Sequence, residues 1–136
     1  MNRVEDWPER LLALIDERRT ATFKWGAQDC CAFPADAVLA MTGVDPMAAL
    51  RGRYNSARSA AVLMEKVGGI AAFLDALLPQ VPPLLARRGD VVMFDADDGP
   101  VLGIACGVTA AAAGPNGVTW IPLAQWRLAW RVGGIV

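Results

Sequence analysis

The chain of 136 residues contains no histidine. That removes the side chain most often used as a general base near neutral pH and the commonest metal ligand. Cysteine is scarce: Cys30, Cys31 and Cys106 are too few for a disulfide framework. Three thiols without histidine also fall short of the four ligands usual in zinc and iron–sulfur sites. Long apolar runs are missing too. The longest weakly polar stretch, Val101 to Gly114, is dense in Gly and Ala and too short for a membrane helix. No block of like charge occurs. Thirteen Lys and Arg face 14 Asp and Glu, and the densest clusters are Arg87-Arg88 and Asp95-Ala96-Asp97-Asp98. A nucleic-acid-binding domain carries a basic excess that this chain lacks. The N-terminus, Met1 to Asp6, is charged and has no apolar core of a secretory signal. These absences give the expectations of a reducing cytoplasmic folding compartment, free thiols, no cofactor, no bound metal, no nucleic acid and no membrane insertion.

Helical periodicity dominates what is present in the first half. Asp6-Trp7-Pro8-Glu9 reads as a helix start, with Asp6 as N-cap and Glu9 closing a capping box. Leu11, Leu12, Leu14 and Ile15 supply its apolar face, and the helix ends near Thr20. Phe23-Lys24-Trp25-Gly26 leads into a turn. Asp29 is placed to cap a second helix that carries Phe33, Ala37, Val38 and Met41 inward and stops at Gly43. Pro34 either bends its first turn or sets the start a few residues later. Helices are also expected over Ser56 to Val67 and Ile70 to Leu78, before Pro79, Pro82 and Pro83 form a linker.

After Arg88 the pattern becomes strand-like. Gly89 to Phe94, Pro100 to Val108, Gly117 to Ile121 and Arg127 to Val132 read as strands, with Pro115-Asn116-Gly117 as a turn. Gly103, Ala105 and Gly107 suggest close approach by another backbone. Helices followed by a small antiparallel sheet indicate one α+β domain over residues 1–136.

Asp29-Cys30 at a helix start is the candidate chemical feature. A helix N-terminus lowers a thiol pKa, while a neighbouring carboxylate raises it. Peptide hydrolysis also needs proton delivery to the leaving amine, which general acid–base groups supply at about two to four decades of rate. Cys31 and Cys106 read as packed thiols. Among the five tryptophans, Trp7 and Trp25 read as turn and core anchors. Trp126 and Trp130, four apart, are candidates for a partner-facing surface. Asp95 to Asp98 reads as an acidic hairpin turn.

The order Phe23-Lys24-Trp25-Gly26, Asp29-Cys30, helices, Gly89-Asp90-Val91-Val92, then Leu102-Gly103-Ile104 resembles the NlpC-type papain-like cell-wall peptidases. The resemblance implies N-terminal helices packed on a small antiparallel β-sheet, with Cys30 at the nucleophile position. It puts Val101 where the family has its catalytic histidine. The resemblance does not place the family's third, orienting polar residue, because Val108 to Thr119 has no secure match. Thr42-Gly43-Val44-Asp45-Pro46 and Ala129-Trp130-Arg131-Val132 extend the resemblance to small phage-encoded proteins of this superfamily, some from tail-gene clusters.

That resemblance, with the missing histidine, implies a non-catalytic structural or assembly protein of a phage tail, near its tip. Its partners would be other tail proteins, and it would reach the virion after assembly in the host cytoplasm. Two alternatives differ in class. One is a Cys30-dependent peptidoglycan peptidase or amidase with an unconventional or partner-supplied base. The other is a thiol- or metal-binding module built from Cys30, Cys31 and Cys106.

Overall fold

The first helix, α1 (Trp7–Arg18), buries Leu11, Leu14 and Ile15 against α2 (Ala32–Thr42), as the i, i+3, i+4 spacing requires. Asp6 precedes α1, but its carboxylate pairs with Arg10 and makes no cap bond, so the expected capping box is absent. A computed structural model describes residues 1–133 of the chain; residues 134–136, included in the expected domain span, lie outside the described residues.

Helix α2 is the central one. Ala32, Phe33, Ala35, Ala37, Val38 and Met41 are all buried, because α1 covers one side and the sheet the other. Pro34 sits in its first turn, where no intrahelical N–H is needed, so the helix starts at Ala32 without a kink. Gly43 ends it in the left-handed conformation (φ 79°), its N–H bonded to Leu39 O. Helix α3 (Ala57–Lys66) opens on a capping box in which Ser56 and Ser59 exchange bonds. Helix α4 (Ile70–Asp75) is a short turn-and-a-half that buries Ile70 and Leu74.

Six antiparallel strands form one sheet: β1 (Gln80–Val81), β2 (Val91–Ala96), β3 (Gly99–Ala105), β4 (Thr109–Gly114), β5 (Gly117–Pro122) and β6 (Leu128–Trp130). Their order is β1-β6-β2-β3-β4-β5. The linker expected around Pro79 therefore contains a strand, since Gln80 and Val81 pair with Trp130 and Ala129. Strand β4 was not expected either. Its Thr-Ala-Ala-Ala-Ala-Gly sequence has poor strand propensity, but tertiary packing selects it for size. A side chain at Gly103 would put its Cβ 2.9 Å from Ala111 O, so β3 and β4 meet at a distance that only small residues allow.

The sheet is covered on both faces. Val91, Met93, Ile104 and Trp130 join the helices in the main core. Val92, Ala105, Ala110 and Ala129 form a smaller cluster on the other face, closed by Trp126. The single turn of 3₁₀ helix at Leu123–Gln125 returns the chain across that face to place this tryptophan. Trp126 is 6% exposed and donates to Ile121 O at 3.0 Å. Trp130 is fully buried and donates to Asp75 Oδ1 at 2.8 Å. Neither is a surface residue, which corrects the expectation that Trp126 and Trp130 face a partner. Their apolar rings fill the two cores while each indole N–H finds an internal acceptor.

Asp90 explains why the Gly-Asp-Val-Val and Ala-Trp-Arg-Val segments occur together. Its fully buried carboxylate accepts bonds from Arg3 Nη2, Arg131 Nε, and the backbone N–H groups of Arg87 and Val132. Arg3 also reaches Val132 O and stacks over Trp7, 4.3 Å from the ring centre. The segment before α1, the segment after β6 and the entry to β2 are thus joined at one ion cluster.

Candidate functional site

The turn before α2 is organised by Asp29, which is wholly buried. Its Oδ1 accepts from the N–H groups of Cys31 (2.9 Å) and Ala32 (2.7 Å), so it caps the helix from outside its first turn. Its Oδ2 accepts from Gly26 N–H and from Tyr54 Oη, both at 2.7 Å. Gly26 has φ 86°, and a Cβ there would lie 2.9 Å from Tyr54 O. The Trp-Gly turn, the helix start and the Tyr54 loop are therefore fixed by one carboxylate.

Cys30 stands between these anchors and lines a groove of about 690 Å³. Phe23, Trp25 and Tyr54 form one part of the lining, with Phe23 and Trp25 in edge contact at 4.9 Å. Helix α3 contributes Ala57, Ala60, Ala61 and Met64. The β2–β3 hairpin contributes Ala96, Asp98, Gly99, Pro100 and Val101, and β4 adds Ala113. Cys30 and Val101 thus border the same groove, brought there from opposite halves of the chain.

The two adjacent thiols differ. Cys31 is buried, and its sulfur lies 4.0 Å from that of half-buried Cys30. The Cys31 thiol stabilises a thiolate on Cys30, lowering the Cys30 pKa against the opposing effects of burial and the Asp29 charge. Proximity to Cys30, together with burial, pushes the Cys31 thiol up. Cys30 therefore ionises first. The Tyr54 hydroxyl is raised by burial and by its bond to Asp29, so it remains a donor and does not act as a base.

Few groups remain for acid–base work. The Asp29 carboxylate is occupied by four donors. Asp98 lines the groove from the exposed two-residue turn of the hairpin. Cys106, expected mid-strand, instead follows the end of β3 and bonds weakly to Ile104 O. Among the described residues no group of three His, Cys, Asp or Glu side chains is arranged to hold a metal ion. The three cysteines of the thiol- or metal-module alternative do not converge.

Tyr54 and Ala113 are groove residues that residue types and spacing did not mark, whereas Phe23 belongs to the Phe23–Gly26 turn motif. Tyr54 is the chain's one tyrosine, and its position after the Arg51-Gly52-Arg53 loop was the available signal.

Helices α1–α4 followed by the six-stranded antiparallel sheet, with a cysteine at the start of the buried helix, define an α+β fold of the papain-like, NlpC type. The chain is similar to the crystal structure of the NlpC/p60 domain of the peptidoglycan hydrolase SagA. The TM-score is 0.60 at 17% identity, over 90% of this chain and 97% of that one. At this identity the likeness concerns the fold alone. The chain belongs to the family described as Domain of unknown function (DUF6950), which matches residues 2–132. No curated protein matches it.

Proposed function

We propose that this chain is a non-catalytic scaffold of NlpC type that serves as a structural or assembly component of a phage tail, near its tip. The observation that carries the non-catalytic part is the lining of the groove. Val101 on β3 and Ala113 on β4 border the space around Cys30, and the chain has no imidazole to place there. A thiolate can attack a carbonyl, but expulsion of an amine needs a proton that neither valine nor alanine delivers. The tail assignment rests on the motif resemblance at Phe23–Cys30, Thr42–Pro46 and Ala129–Val132. In this reading the partners are other tail proteins and the mature location is the virion.

One observation favours a second reading. Cys30 opens on a groove and its pKa is lowered, as a nucleophile requires. A partner-supplied base would make it a peptidoglycan peptidase or amidase, and contact with peptidoglycan belongs to that reading. The experiment is made in a phage that encodes the chain. Quantitative mass spectrometry of purified tails should find it at a fixed copy number, and Cys30→Ala should leave infectivity unchanged. Absence from tails removes the structural assignment. Loss of infectivity with Cys30→Ala, in tails that still contain the chain, supports the second reading.

A further inference from the structure

The groove has an uneven chemistry. Small residues, among them Ala57, Ala61, Gly99 and Ala113, make up much of its walls beside the larger Met64, Ile70 and Val101, with an aromatic end at Phe23 and Trp25. Among the described residues no lysine or arginine lines it. Asp29 is saturated by internal donors, so among the described lining residues Asp98 is the carboxylate left to meet a ligand. Asp97 shares the same exposed turn, whereas Asp95 is already paired with Arg127.

From this we infer that the groove clamps an extended, basic segment of a partner protein. Small walls let a main chain approach closely, and the aromatic pair offers a surface for one apolar side chain. The volume, about 690 Å³, is within the range of binding clefts. Charge decides the sign. A Lys or Arg on the bound segment meets Asp98, while a carboxylate-rich segment finds no counter-charge and faces repulsion. The inference deepens the proposed scaffold role, because it names what the groove of a non-catalytic chain would hold.

The test uses the purified full chain and a random dodecapeptide display library. Selected peptides should be enriched in Lys and Arg and depleted in Asp and Glu. As free peptides they should slow alkylation of Cys30, which borders the groove. Asp98→Lys, at an exposed turn position, should invert the charge preference. Ala61→Trp, an exposed change on the α3 wall, should abolish binding. Selection of acidic peptides, no enrichment at all, binding that leaves Cys30 alkylation unchanged, or a preference insensitive to Asp98→Lys overturns the inference. Mass spectrometry of the incubated peptides separates the two claims. Cleavage dependent on Cys30 contradicts the non-catalytic reading and leaves the charge preference standing.

Discussion

Tyr54 donates a 2.7 Å hydrogen bond to Asp29, 25 residues earlier in the chain, and so ties the loop before α3 to the cap of α2. Tyr54→Phe removes this donor and leaves the carboxylate three backbone partners. A loss of about 1.5–3 kcal/mol is expected, as for a bond to a charged group. The pH dependence follows from the raised Tyr54 pKa. An unfolded tyrosine ionises near pH ~10. The stability from keeping Tyr54 protonated is therefore complete below that value and is lost as pH rises above it towards the folded value. Urea unfolding between neutral and alkaline pH should show a steeper alkaline decline in the wild type than in Tyr54→Phe.

Asp90 is held by two arginines whose side chains are 13% and 16% exposed. Asp90→Ala leaves both guanidinium groups without their anion and should cost about 3–5 kcal/mol. The exposed pair Arg127–Asp95 has similar geometry but side chains 51% and 58% exposed. Asp95→Ala should change stability by no more than about 1 kcal/mol. Denaturant midpoints for the two variants check the contrast.

The buried positions of Trp126 and Trp130 make them stability residues. Truncation to alanine at either should cost about 3–5 kcal/mol. Trp120, 49% exposed on β5, should tolerate alanine with a loss below about 1 kcal/mol. Thermal unfolding of the three variants is the measurement. A well-folded Trp126→Ala chain of unchanged melting temperature would reverse this assignment.

Cys30 and Val101 border one groove, so an imidazole installed at Val101 should be felt by the thiol. In the wild type, Cys30 should alkylate with a midpoint below the ordinary thiol value of about 8.5, while Cys31 stays protected. Val101→His should raise the rate at mildly acidic pH about tenfold or more, through a thiolate–imidazolium pair. Iodoacetamide kinetics against pH, read by peptide mass spectrometry, test this. An unchanged profile would mean that the two side chains do not face each other.

Much of this was legible in the sequence. The amphipathic spacing in α1, the Asp29 cap and the glycine stops marked the helices, because local chemistry decides those features. Strand β4 was hidden, since four alanines signal helix locally and only pairing with β5 on one side and β3 on the other makes them a strand. The tryptophans were misplaced for a related reason. Their spacing shows neither face of the sheet, and the 3₁₀ turn that folds Trp126 inward depends on the far side being apolar. For the site, Cys30 beside the start of the buried helix and the absence of histidine were readable from residue types. Tyr54 was not, because its partner Asp29 is distant in sequence and the bond exists only in the folded chain.

The most direct measurement of the non-catalytic reading is digestion of purified peptidoglycan sacculi by the isolated chain, alongside Cys30→Ala. With valine at position 101 and alanine at 113 in the groove, wild type and variant should both release no soluble muropeptides above buffer. Release by the wild type that Cys30→Ala abolishes would contradict the account.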